Sequence, residues 1–352
     1  MVEAAEDMDY KRDSNGLHNN SVSDISLNTH PFRYTLYTTF WDRIVFYIMA
    51  VTVAPIRLAL IFSCFALTSL AARIAVFGLP LEPDTPLAGW RLIFRDLTVR
   101  LALLTGYAGG FFIQRVKGKQ VSSKEAPILV MAPHTSSIEI LAGSLCGLPG
   151  VVSSIDNGRM PVIGAIFRAC QSIFVERGDP DSRNKAVAKI KKRAATKGAW
   201  PQIIILPEGF CSNGKSLLPF KTGAFLPGVP VQPVTIKYLT KHDVFSWIDS
   251  GPSVAAIWTL MLCTPFLGIE IEFHPVYHPS EAEKENAELY ARNVRDVISG
   301  YLNIPTCEMT YRDLKALVKQ TKPDTSFLAL WKNIITKGYV EMPNMSPKKH
   351  FS

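Results

Sequence analysis

Hydrophobic and polar positions divide the chain into two regimes. From Ile44 to Gly78 it is apolar almost throughout, broken by Pro55, Arg57 and Arg73. The uncharged pieces, Ile44–Ile56 and Leu58–Ala72, are each shorter than the roughly 20 residues a straight membrane-spanning helix needs. Together they predict a membrane segment, either one kinked span or a re-entrant hairpin bent near Pro55. Of the later apolar runs, Leu101–Ile113 is too short to span. Gly251–Ile269 contains Pro252 and Pro265, so a core or membrane-resting helix is expected there.

After Lys124 the pattern changes to short apolar runs alternating with amphipathic stretches. "PILVMAP", "VVSSI", "SIFVER", "PQIIILPEG", "VPVQPVTIKY" and "IEIEFHPVY" read as strands. "SSIEILAGSL", "PVIGAIFRA" and "DSRNKAVAKIKKRAATKG" read as helices, the last with an Asp-Ser start and a Gly stop. "HPSEAEKENAELYARNVRDVISGYL" predicts one long amphipathic helix. The alternation defines an α/β domain with a mixed or largely parallel sheet flanked by helices. The expected organisation is a flexible polar tail over 1–30, a membrane-anchoring helical segment over 31–80, the α/β domain over 81–305, and a C-terminal helical extension and tail over 306–352.

Composition adds little to the fold and more to the setting. With 47% hydrophobic and 19% charged residues, the chain has ample material for a core. The net charge of +8 favours an anionic partner: a membrane surface, a phosphorylated substrate or nucleic acid. No basic stripe interleaved with aromatics is visible, so nucleic acid is not expected. Six scattered cysteines form no CxxC pair, which predicts free thiols in a reducing compartment and no zinc site. Arg73, Arg91, Arg95 and Arg100 follow the apolar segment, and only Arg33 and Arg43 closely precede it; the bias puts the C-terminal domain in the cytosol.

The candidate chemistry lies at strand ends, where α/β sheets bind ligands. "MAPHTSSIE" places His134 five residues before Glu139, and "LPEGFCSN" follows another strand. The spacing alone is weak: seven histidines and 30 acids in 352 residues give roughly 0.6 such pairs by chance. His278 and Glu283 obey it too and are assigned no function. Glu139 has two readings. "SSIE" is a Ser-x-x-Glu capping box, in which Glu139 bonds the Ser136 N–H. Alternatively, with His134 in the loop and Glu139 in the first helical turn, the carboxylate orients the imidazole and stabilises the imidazolium formed during general-base catalysis. "KIKKR" at 189–193 reads as a solvated face, with contact to lipid headgroups or CoA phosphates as the functional alternative.

Four ordered blocks, "APHTSSIE", "GRMPVIGAIFRACQSIFVERGDPDSR", "WPQIIILPEGFCSNGKSLLPFKTGAFLPGVPVQPV" and "IEIEFHPVYHPSEAEKENAELYARNV", together resemble the glycerophospholipid acyltransferases. The similarity runs from about 31 to 301 and is strongest to the lysophosphatidylcholine acyltransferases, including those acting on lyso-platelet-activating factor. The resemblance implies that 81–305 is an acyltransferase domain and that His134 deprotonates a lysophospholipid hydroxyl for attack on an acyl-CoA thioester. It puts Glu139 in the place of the family's aspartate and gives Arg177 a role on the acceptor's phosphate. It ties Glu208 and Gly209 to acceptor binding, with Asn213 and Lys221 in the same block. No cofactor or metal is implied; acyl-CoA is a co-substrate. An endoplasmic-reticulum membrane enzyme with a cytosolic catalytic domain is expected. A lysophosphatidic acid or glycerol 3-phosphate acyltransferase and a non-catalytic lipid or acyl-CoA binder are the alternatives.

Three departures from the family pattern stand out. Glu139 is one methylene longer than aspartate. Phe210 stands where threonine is common, which is expected to remove a hydroxyl from the site unless Ser212 replaces it. No loop carries the acid-rich pattern of a calcium site, so calcium regulation is not expected.

Overall fold

The computed structural model describes residues 29–176, 181–196 and 198–342. The polar tail predicted over 1–30 lies, but for its last two residues, outside the described residues. A short strand β1 (Tyr34–Tyr37) leads into helix α1 (Phe40–Ala75), and helix α2 (Trp90–Ala108) returns along it. The α/β region follows as β2 (Phe111–Lys117), β3 (Ile128–Ala132), α3 (Glu139–Leu145), β4 (Gly150–Ser154), α4 (Ile155–Arg159), α5 (Ile163–Ala169) and β5 (Ile173–Val175). It continues through α6 (Ser182–Ala195), β6 (Ile203–Ile205), β7 (Val231–Tyr238), α7 (Val254–Leu262) and β8 (Leu267–Phe273). Helices α8 (Glu281–Glu285), α9 (Ala287–Leu302), α10 (Tyr311–Thr321) and α11 (Phe327–Lys337) precede the last strand, β9 (Tyr339–Met342).

Seven strands form one mixed sheet in the order β2-β8-β7-β3-β6-β4-β5. All neighbours are parallel except β7 and β8. The central strand β3 is buried at all five positions because both faces of the sheet are covered. Leu129 and Met131 join one core, which includes Ile257 and Leu260 of α7; Ile128, Val130 and Ala132 join the other, against Ile190 of α6 and Val294 of α9. The expected α/β architecture is present.

Of the two shapes expected for the apolar N-terminal region, a single helical span forms and a hairpin bent near Pro55 does not. α1 is a single helix of 36 residues that continues through Pro55, and the hairpin is closed by the loop 76–89 and α2. At 1.5 Å per residue α1 is about 54 Å long, well beyond the ~30 Å hydrocarbon core of a bilayer. It is long and apolar enough to cross a membrane, and only 17% of its most apolar window is buried. Arg57, which interrupts the apolar run, is buried and donates to the carbonyls of Leu262, Thr264 and Pro265 at 2.9, 2.6 and 2.6 Å. These carbonyls lie at the C-terminal end of α7, where a cation also meets the negative end of the helix dipole. Gly110, at φ +98°, admits the guanidinium: a Cβ there would stand 2.7 Å from it.

One further expectation is corrected, and another, a core helix within Gly251–Ile269, is met over part of its run. The long helix predicted over "HPSEAEKENAELYARNVRDVISGYL" breaks at Asn286, whose side chain caps α9 by accepting from the Glu288 and Leu289 N–H groups. The run Gly251–Ile269 divides into the core helix α7 and the start of β8. The two ends of the described chain also meet, with β1 antiparallel to β9.

Candidate active site

The site forms at the carboxyl ends of three adjacent strands. In the sheet Val130 of β3 is level with Ile205 of β6, and Ala132 with Thr235 of β7. A few residues beyond each of these points stand His134, Glu208 and Tyr238. Parallel pairing therefore converges side chains up to 104 positions apart in sequence.

The loop carrying His134 is fixed by its backbone. The His134 N–H donates to Glu208 Oε1 at 2.6 Å, and its carbonyl accepts from the Ser212 N–H at 2.9 Å. The Thr135 carbonyl accepts from the Trp247 N–H at 2.8 Å. Glu208 is wholly buried, and its Oε2 accepts from the Leu218 N–H at 3.2 Å. Burial pushes its carboxyl up to about 7, although both backbone bonds favour the ionised form.

Glu139 reaches both the turn of Thr135 and Ser136 and the ring of His134. Its Oε1 accepts from the Ser136 N–H at 2.7 Å, the Thr135 N–H at 2.8 Å and Thr135 Oγ1 at 3.2 Å. Its Oε2 lies 3.2 Å from His134 Nδ1. Only half of the expected capping box forms, because Ser136 does not cap α3 in return; its Oγ accepts from the Ile138 N–H instead. Donation from Nδ1 leaves the lone pair of a neutral imidazole on Nε2. Burial alone would depress the His134 pKa, but the adjacent carboxylate outweighs it and holds the imidazole well above its ordinary 6.5. The ring remains 19% exposed and so within reach of a ligand.

Gly209 has φ +78°, and a Cβ on it would stand 2.8 Å from Lys221 Nζ. The ammonium of the exposed Lys221 therefore lies over a residue that must lack a side chain. Asn213 is used differently: Nδ2 donates to the carbonyls of His30 and Arg33, both at 2.8 Å, and Oδ1 accepts from the Lys215 N–H at 3.0 Å. It ties down the segment leading into β1. Arg177 lies outside the described residues.

Phe210 corrects an expectation. Its ring is buried between Phe32 and Tyr311, at centroid distances of 6.0 and 5.3 Å, and belongs to the core. Ser212 makes no replacement for a hydroxyl at the ring's position; its Oγ accepts from the Gly214 N–H within its own loop. The control pair also resolves: Glu283 caps α8 with Ser280, and His278 is exposed.

Two neighbours of the pair were not legible in sequence. Cys211 Sγ lies 3.6 and 3.7 Å from the two ring nitrogens of His134, and burial raises its pKa, which keeps it a thiol. Tyr238 stacks on Phe245 at 4.3 Å and points its hydroxyl at Glu139 Oε1, 3.5 Å away. Cys211 lies within "LPEGFCSN" but no spacing marks it, and Tyr238 belongs to no motif; strand pairing and loop return bring both to the histidine.

The His134–Glu139 pair stands beyond the central strand of a mixed sheet, within residues 114–237, which match the family model described as acyltransferase. Residues 114–237 of the chain carry this acyltransferase domain. It is 40% identical over 292 residues to lysophospholipid acyltransferase LPCAT4 of Mus musculus, covering 82% of this chain and 56% of that protein. It is 40% identical to lysophosphatidylcholine acyltransferase 1 of Rattus norvegicus, covering 81% and 53%, and 38% identical to lysophosphatidylcholine acyltransferase 2 of Mus musculus, covering 78% and 51%. The chain thus spans about half the length of these relatives. A crystal structure of the 1-acyl-sn-glycerophosphate acyltransferase PlsC from Thermotoga maritima aligns with 74% of this chain and 95% of its own, at 17% identity and a TM-score of 0.43.

Proposed function

We propose that the chain transfers a fatty acyl group from acyl-CoA to the free hydroxyl of a lysophospholipid, with lysophosphatidylcholine the leading acceptor, in phospholipid synthesis or remodelling. His134 is the base. Its Nε2 takes the hydroxyl proton as the oxygen attacks the thioester carbon, and Glu139 stabilises the imidazolium. Collapse of the tetrahedral intermediate expels the CoA thiolate, which recovers the proton from His134. The products are the acylated phospholipid and free CoA, and no covalent enzyme intermediate is needed.

The carrying observation is the 3.2 Å His134–Glu139 contact, held on one side by the turn of Thr135 and Ser136 and on the other by Glu208. Glu208 acts in this reading by fixing the His134 backbone, and Asn213 by securing the entry segment. Lys221 over Gly209, together with Arg177, supplies charge for the acceptor's phosphate. The names of the three relatives, a lysophospholipid and two lysophosphatidylcholine acyltransferases, support this acceptor class. The reading places the enzyme in the endoplasmic-reticulum membrane, catalytic domain towards the cytosol.

The test is acyl transfer by the purified, detergent-solubilised chain and its His134→Ala variant, given mixed acyl-CoA and a panel of lysophospholipids and glycerol 3-phosphate. Mass spectrometry is expected to find diacyl product from the parent and at least a hundredfold less from the variant. Equal background from both folded proteins would overturn the reading, and the acceptor consumed names the headgroup.

A further inference from the structure

The C-terminal end of α1, the loop after it and the α4–α5 pair enclose a second cavity of about 960 Å³, which shares no lining residue with the His134 cluster. That volume is large enough for a lipid headgroup with part of its chains. Three arginines line it: Arg73, Arg159 and Arg168. No acidic side chain does so among the described residues. Glu82, next in sequence to the cavity wall, is engaged elsewhere, accepting from the Phe174 N–H at 2.8 Å and from Lys189.

Two of the guanidinium groups are held in place by backbone. Arg73 donates to the Pro161 carbonyl and Arg168 to the Leu79 carbonyl, the latter at 2.7 Å. Neither carbonyl neutralises the charge, and each arginine carries five N–H donors. Arg168 Nε is buried and has no hydrogen-bond partner among the described residues. Arg159 is exposed, and no hydrogen bond or ion pair engages it among those residues. Uncompensated permanent charge in a cleft calls for an anion, and the planar guanidinium fork fits phosphate.

The rest of the wall says what the anion is attached to. Leu70, Phe77 and Trp90 line the same cavity and are 54%, 76% and 50% exposed. They continue the bare apolar flank of α1 at the end where its apolar run gives way to arginines. Cations beside an exposed aromatic and aliphatic surface are the arrangement that suits a membrane interface.

We propose that this cavity seats the phosphate headgroup of an anionic diacyl phospholipid of the bilayer, with its chains along Leu70, Phe77 and Trp90, as a binding site separate from the catalytic one. The ligand is not an acyl acceptor. It would hold the end of the hairpin and the α4–α5 pair at a fixed depth against the headgroup layer. The proposal does not rest on the acyl-transfer reading.

The experiment titrates dioctanoyl phosphatidylserine into the full chain in neutral detergent and measures binding. Parallel arms use dioctanoyl phosphatidylcholine, with the same chains and no net charge, and inorganic phosphate alone. Saturable binding of the serine lipid is expected, with Arg159→Gln weakening it about tenfold and Arg159→Gln/Arg168→Gln weakening it further. Arg159 gives up no internal bond, so that variant isolates binding from folding. Unchanged affinity in both variants would overturn the proposal, as would loss of affinity in Lys221→Gln alone, which would put the lipid at the catalytic site. Phosphate binding as tightly as the lipid would overturn the lipid assignment. Retained acyl transfer to a micellar lysophospholipid in Arg159→Gln, with lost lipid binding, would support it.

Discussion

At the scale of single residues, the decisive question is what Glu139 does, and one carboxylate does two things because its oxygens face opposite ways. Oε1 closes the turn before α3, while Oε2 reaches His134. The extra methylene relative to aspartate is therefore accommodated by a helix-start geometry. Because the carboxylate raises the His134 pKa, the base must lose a proton before it can act. The proposed activity is therefore expected to rise with pH through an apparent pKa above 6.5. Glu139→Gln removes the charge while keeping an acceptor for the turn. Burial then dominates, so the acid limb of kcat/KM should move to lower pH while the plateau falls at least tenfold. A limb unmoved by the substitution would detach Glu139 from the base. Phe210→Thr carries the opposite lesson. A family comparison suggests that restoring threonine helps, but the ring fills the core between Phe32 and Tyr311. Its removal should cost about 3 kcal/mol, read as a lower Tm, with no gain in turnover.

Among the elements, α1 and its partner α2 depend on one buried cation. An arginine in an apolar helix is costly unless paired, and Arg57 is satisfied by three carbonyls at the end of α7. This makes it the fastener between the hairpin and the sheet domain. Arg57→Ala would leave those carbonyls to find other donors and is expected to destabilise the chain by about 3 kcal/mol. Limited proteolysis in detergent should then cut first in the loop 76–89, whereas an unchanged cleavage pattern would deny the fastening role. The segment before β1 is a second fastening, held by Asn213 and packed through Phe32 on Phe210. Thus a residue in the motif block serves the site by anchoring a strap.

For the whole molecule, the sheet domain and the hairpin make a membrane-associated unit whose catalytic candidates and bare apolar flank belong to one body. The strap before β1 and the pairing of β1 with β9 tie the start of that body to its end. Native membranes carrying the chain should retain it after extraction with alkaline carbonate, because among the described residues the flank of α1 is left exposed and apolar. Full release into the supernatant would show that charge alone holds it there.

The alternation of strands and helices, the apolar N-terminal region and the neighbourhood of His134 with Glu139 could all be read along the chain. Each of these is a local signal: periodicity, turn chemistry or a spacing of five. Gly209 entered only through the resemblance of its block, and its turn at φ +78° beneath Lys221 came with the structure. That Pro55 lies inside a continuous helix is a matter of folding at a distance, because packing along α2 and the lock at Arg57 set where the chain turns back. Tertiary packing alone set the direction of the Phe210 ring, the burial of Glu208 beneath the His134 backbone, and the approach of Cys211 and Tyr238. Those contacts depend on which strands are neighbours and in what register. Strand order is a global minimum over the whole chain's packing, and no short stretch of sequence carries it.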